Sequence, residues 1–227
     1  MSSSSAVHAV LSGDLIDSRT LSDQALAEAQ EIIRASAKDF TKAVGRAVIG
    51  RPDFFRGDAW QLLLDRPSAA LRLALLLRAR LRSAGADTRI AIGVGSTRSI
   101  NRRKISLSAG EAFELSGHAL DTMSGYFDLT ARLPPRAGLA GDWLPAVAHL
   151  CSDLLRGWTA RQAEIVAVAL LAEGATHEQI GTRLAKPVRK QTVTSTLRSA
   201  HYRALLEALR AFEQTDWTTL LGDDTPP

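Results

Sequence analysis

The sequence predicts an α+β chain: a ferredoxin-like domain followed by an all-α helix-turn-helix domain. Three observations carry that prediction. Residues 6–96 read strand, helix, strand, strand, helix, strand. No strand pattern returns beyond Trp143. Between the two regions stands the turn-forming stretch "LPPRAGLAGDW", residues 133–143. The expected units are residues 1–135, residues 143–213, and a C-terminal tail over residues 214–227.

The elements follow in order. "AVHAVLSGD", residues 6–14, is largely apolar and alternates only weakly, as a strand covered on both faces does. Residues 21–44 are rich in Ala, Gln and Glu and set apolar side chains at helical spacing behind a cap at Ser22 or Asp23. "RAVIGRPDFF" and "RGDAWQLLLD" are short apolar runs close together, which predicts an antiparallel hairpin turning around Phe54 to Gly57. A helix from about Pro67 to Ser83 leads into the strand "TRIAIGVGS", whose "GVG" at residues 93–95 is read as permitting a turn. "SLSAGEAFELSGHALDTM" is read as a helix starting at Ser106 or Ser108, and "YFDLTARL" as a further strand.

After the punctuation, residues 143–157 predict one helix and Thr159 to Gly174 a second. "THEQIGTRLA" predicts a short third, with Thr176 as cap and Gln179 completing a capping box. A turn through Lys186 and Pro187 introduces a long fourth helix, Arg189 to Glu213, and "GDDTPP" closes the chain as a frayed tail. A supporting helix, a short helix, a tight turn and a second helix make the helix-turn-helix pattern.

Within that pattern Ile180, Leu184, Val193 and Leu197 are expected to face the core. Between them Arg189, Lys190, Gln191, Thr192, Thr194, Ser195 and Arg198 offer guanidinium, ammonium, amide and hydroxyl groups. Such groups reach phosphates and base edges, so double-stranded DNA is the expected partner. A solvated basic face on a three-helix bundle has a similar composition. The placement of the basic run, on the helix that would enter a major groove, favours DNA. Between Arg183 and Arg203 there are six Lys or Arg and no acid. Paired reading heads match palindromic operators, so a homodimer is expected.

Composition narrows the class further. With 227 residues, 45% hydrophobic and 23% charged, the chain can bury a sizeable core, and its net charge is +4. No apolar run reaches the roughly 20 residues that span a bilayer, and "MSSSSAVHAV" lacks the basic flank of a secretory signal, so a cytoplasmic location is expected. "LRLALLLRARLR", residues 71–82, comes nearest to a span, but its arginines recur too often. The lone Cys151 excludes an internal disulfide and a cysteine-rich zinc site, and its apolar neighbours suit a buried helix position. His177 and His201 have no second His or Cys at ligand spacing and are read as a surface residue and a packing residue.

Two acids stand out. Asp14 ends the first strand in "SGDLIDSR", and Asp58 lies in the predicted hairpin in "RGDAWQ". In a split βαβ sheet the first strand is central and the hairpin crosses beside it, which would bring these carboxylates close. Carboxylates a few Å apart repel unless they share a cation, and Mg2+ accepts that oxygen pairing. The backbone of Leu15, Ile16, Asp17 and Ser18 could approach phosphates, with Arg102, Arg103 or Lys104 neutralising them. The competing reading makes Asp14 a helix cap, Asp58 a turn residue, and Asp17 and Ser18 ordinary caps.

The Asp14 and Asp58 placement resembles the two-aspartate metal site of the class III nucleotidyl cyclase and polymerase-palm fold. Nearly the whole chain, from "AVLSGDLIDSR" through "FRGDAWQLLL", "IAIGVG" and "GEAF" to "WTARQAEIVAVALL", is similar to the bacterial SatD family. That resemblance implies a cyclase-like or palm-like domain fused to a DNA-binding one. Cyclases of this class carry an Asn and an Arg on the helix after the fourth strand. Here Glu114 and His118 fall at those positions, and Leu107 falls where an acid would read the base. Glu114 would repel a triphosphate and His118 replaces a fixed guanidinium poorly. The expectation is a transcriptional regulator with a cyclase-like sensor domain that binds a nucleotide with Mg2+. The alternative is a nucleotidyl cyclase or nucleotidyltransferase using Asp14 and Asp58.

Overall fold

The structure, a computed structural model, describes residues 6–55 and 57–222. Most of the "GDDTPP" tail lies outside the described residues. Five strands, β1 (Val7–Leu15), β2 (Val48–Phe55), β3 (Ala59–Leu64), β4 (Thr88–Ser96) and β5 (Leu129–Arg132), form one sheet in the order β2-β3-β1-β4-β5. All neighbours are antiparallel except β4 and β5, which are parallel. β1 is central and covered on both faces, which explains its nearly unbroken apolar run: Ala9, Leu11 and Leu15 face one side, and Val10 the other.

Helices α1 (Asp23–Val44) and α2 (Ala70–Ser83) cover the first face, and α3 (Glu111–Asp121) packs on the second. Ser22 caps α1 by accepting the Ala25 N–H at 3.2 Å. α2 is enclosed on nearly every side, arginines included: Arg72 is 3% exposed and Arg78 0%. Recurrent arginine in an apolar helix therefore marks a buried element with ion-paired anchors. Among the described residues no helix is long and apolar enough to cross a membrane.

The glycines of "GVG" are needed for packing, not for a turn. Gly93 and Gly95 point from β4 toward α3, where an added Cβ at Gly93 would lie 2.3 Å from the Ala112 carbonyl oxygen and 2.5 Å from the Ser116 nitrogen. At Gly95 it would lie 2.7 Å from Glu111. Their bare backbone lets α3 lie directly on the sheet. α3 itself begins later than the sequence predicts, at Glu111 behind Gly110, whose φ is 145°. Ile105–Leu107 form a separate 3-10 turn, and the Ser108 hydroxyl accepts the Asn101 N–H instead of capping the helix. Glu111 pairs with Arg136 and accepts the Ser96 N–H; the hydrogen bonds from Arg136 hold its carboxyl below the usual carboxylate range.

Six further helices follow: α4 (Ala140–Arg156), α5 (Ala160–Leu171), α6 (His177–Thr182), α7 (Lys190–Ser199), α8 (Tyr202–Gln214) and α9 (Trp217–Leu221). α5 packs along α2, so the buried apolar residues of the sheet, α2 and the C-terminal helices form one cluster running from Ala9 to Leu221. The helix expected over Arg189 to Glu213 is broken at His201, which adopts a left-handed φ of 54°. The break turns α8 back toward α2, where Glu213 meets Arg72, so tertiary contact outweighs a local backbone cost. The expected tail is also ordered in part. Asp216 caps α9 through the Thr218 and Thr219 N–H groups, and Trp217 is buried against Phe212 at 4.7 Å between ring centroids.

Gly93→Val should lower stability by about 3 kcal/mol, because the backbone of α3 must move to admit the side chain. Gly117→Ala in the same helix, where nothing lies within 4 Å of the added Cβ, should raise it by about 0.5 to 1 kcal/mol. Thermal unfolding of the two variants checks both signs.

Candidate functional site

The C-terminal end of β1 gathers several polar groups. Asp14 sits opposite Arg89 of β4 in the strand register. The Arg89 guanidinium donates to both Asp14 oxygens, from Nε at 2.8 Å and from Nη2. That hydrogen bonding raises the guanidinium's pKa further, with the charge of Asp58 adding to it. Ser18 donates its hydroxyl to Asp58 Oδ2 at 2.5 Å, the Leu15 N–H reaches the Asp58 carbonyl at 3.3 Å, and the Ile16 N–H reaches the Asp87 carbonyl at 3.0 Å. Asp17 turns the chain with a left-handed φ of 55°. The segment Leu15 to Ser18 is thus laced between the β2–β3 turn and the loop that precedes β4.

The donor types suit a hard cation, but the arrangement does not: both oxygens of Asp14 are taken by Arg89, which supplies the compensating positive charge. Among the described residues no three His, Cys, Asp or Glu side chains gather where a metal could be held. Arg102, Arg103 and Lys104 do not join this cluster, contrary to expectation. β4 runs antiparallel to β1, so the loop that carries them leaves the sheet beside Val7. That loop is then held by other contacts: Thr97 to His8, Asn101 to the Arg103 and Lys104 N–H groups, and Ser106 N–H to Asp53. Glu114 and His118 are exposed beside Arg132 and Pro134, and Leu107 is exposed as well.

Sequence reasoning missed Arg89, although a single charge inside the apolar strand "TRIAIGVG" was a visible signal. It also missed the ionic cluster behind the strand end. Arg78 donates to Asp87 at 3.0 and 2.7 Å, to Asp128 at 3.1 Å and to Ser152 at 3.2 Å. Arg82 reaches Asp87 at 2.8 Å and the carbonyls of Arg156 and Trp158 at 2.9 and 3.2 Å. The Trp158 indole donates to the Ala200 carbonyl at 3.0 Å, at the end of α7. A continuous set of contacts therefore runs from Ile16 through Asp87, Arg82 and Trp158 to α7.

In the α5–α6–α7 unit, two reciprocal capping boxes define the helix starts, Thr176 with Gln179 as expected and Thr159 with Gln162 in addition. Ile180, Leu184, Val193 and Leu197 are buried. Arg189, Lys190, Gln191, Thr192, Ser195 and Arg198 are exposed, and among the described residues no carboxylate forms an ion pair with any of the three cations. Thr194 departs from the expected outward set. It is half-buried, donates to the Lys190 carbonyl at 2.9 Å and meets His177 Nδ1 at 2.7 Å, because position 194 turns toward α6. His177 is therefore a half-buried partner of Thr194, not a surface residue, and His201 is an exposed turn residue, not a packing one. Cys151 is buried, and burial pushes its thiol up to about 12, so it is no nucleophile at neutral pH.

No family model matches the chain, and no curated protein does. Among solved structures, the crystal structure of the guanylyl cyclase Cya2 is similar at 17% identity and a TM-score of 0.36, over 59% of this chain and 77% of that one. The class that the chain's own residues define is a mixed α/β protein with a five-stranded sheet and a C-terminal set of helices.

Proposed function

We propose that the protein is a DNA-binding transcriptional regulator of the SatD type, with α7 as its reading helix and the sheet domain as its sensor. One observation carries this reading: α7 presents an exposed face of cations, amide and hydroxyls with no carboxylate pairing those cations among the described residues. Uncompensated cations on one helix face repel one another, and that cost is offset when phosphates neutralise them. Arg189 and Lys190 stand at the helix start, where they would meet the backbone; Gln191, Ser195 and Arg198 lie along the outer face, where base edges would be read.

A homodimer suits this reading. Leu139, Trp143 and Leu150 are 81%, 43% and 67% exposed and share one face of α4 and its N-cap, a stripe that a second copy would cover. For the strand end we propose a phosphate-bearing effector of the nucleotide class. Phosphate can recruit the Arg89 guanidinium, and its departure would leave Asp14 and Asp58 for the Mg2+ that accompanies a nucleotide. The contacts from Ile16 to Ala200 supply a route by which that exchange would bias α7.

Arg189→Ala with Lys190→Ala should weaken binding to all duplex sequences and lower the slope of log affinity against log salt by about 2. An unchanged slope would remove α7 as the reading helix. Leu150→Glu should convert a dimer to a monomer in sedimentation; a wild-type monomer at working concentration would refute the α4 interface. ATP or GTP with Mg2+ should raise the melting temperature of the wild type and not of Arg89→Ala, with Mg2+ alone ineffective. Absence of any nucleotide-dependent shift would leave the strand end as a purely structural cluster.

A further inference from the structure

The turn at His201 swings α8 away from α7 and opens a cavity of about 570 Å3 between α7, α8, the α5–α6 turn and Arg72. Its size comes from small residues. Ala169, Ala172, Ala175 and Ala204 line it, and larger side chains at these places would fill it. Ile180, Leu197 and Leu206 complete an apolar interior. The volume falls within the usual range for sites that take small organic ligands.

The charged groups around this apolar interior are four arginines, Arg72, Arg198, Arg203 and Arg210, and one carboxylate, with Thr194, Tyr202 and two histidines beside them. Glu173 lies on the wall, but its carboxylate faces Arg72 at 3.8 Å, and Arg72 is held by Glu213 as well. Arg210 is paired with Glu207. Arg198 and Arg203 also line the cavity, and neither forms an ion pair among the described residues. An apolar interior with two uncommitted guanidinium groups at its edge recognises a particular kind of molecule.

We propose that this cavity binds a small amphipathic organic anion, its carboxylate, sulfonate or phosphate head held by Arg198 and Arg203 and its apolar body lying against Leu197, Leu206 and the alanines. The site is separate from the strand end and belongs to the helical unit alone, apart from Arg72. It also shares Arg198 with the outer face of α7. On the DNA-binding reading given above, an occupant would compete with DNA for that guanidinium and weaken operator binding.

The probe is 1-anilinonaphthalene-8-sulfonate, an amphipathic anion whose fluorescence rises in apolar sites, titrated into the full chain. One saturable site is expected. Ala204→Trp, which fills the cavity from an exposed helical position, should weaken it at least tenfold, and Arg203→Glu several-fold, with melting temperatures unchanged. Equal affinity in both variants would overturn the proposal, as would loss of the signal in Leu150→Glu instead, which would move the probe to α4. The titration needs no DNA. A chain that binds the probe in this cavity but never binds duplex would refute the proposed function and leave the cavity site standing.

Discussion

The structure depends on a guanidinium with no exposure to water. Arg78 is completely buried, and removing such a charge from water is tolerated only when its hydrogen-bonding capacity is met. Asp87, Asp128 and the Ser152 hydroxyl meet it. Each comes from a different part of the chain: the approach to β4, the approach to β5, and α4. Losing both carboxylates would leave an uncompensated buried charge, and breaking a buried ion pair typically costs about 3 to 5 kcal/mol. The arrangement therefore specifies where α4 crosses α2, which apolar contact alone would do loosely.

Two more arginines extend the same logic. Arg82 shares Asp87 and ties down the carbonyls that precede α5, while Arg72, at the other end of α2, holds α8 through Glu213 and the end of α5 through the Leu170 carbonyl. α2 thus acts as a common axle. One side packs on the sheet and the other on the helical unit, and the directional contacts all come from its arginines. The sheet and α7 are thereby neighbours in one core, not beads on a linker.

This packing bears on how ligands could act. The segment after β1 touches Asp87, and Asp87 is the shared acceptor of Arg78 and Arg82. A change at the strand end would therefore be felt first by the groups that position Trp158, whose indole holds the last turn of α7. The cavity beside α8 also reaches α7, through Leu197 and Arg198.

Much of this was legible along the chain. The order of strands and helices, the Thr176 and Gln179 box, the buried quartet Ile180, Leu184, Val193 and Leu197, and the outward Arg189 to Thr192 follow from spacing and capping chemistry, which act within a few residues. What tertiary structure alone decided involves partners far apart in sequence. Arg89 opposite Asp14 depends on strand register, and Gly93 serves α3 because a helix from residues 111–121 lies across it. The break at His201 arises because α8 must reach Arg72, and Arg102 to Lys104 miss the acids because β4 runs opposite to β1. Local sequence dictates periodicity and caps; direction, register and the pairing of distant charges are chosen only when the whole core closes.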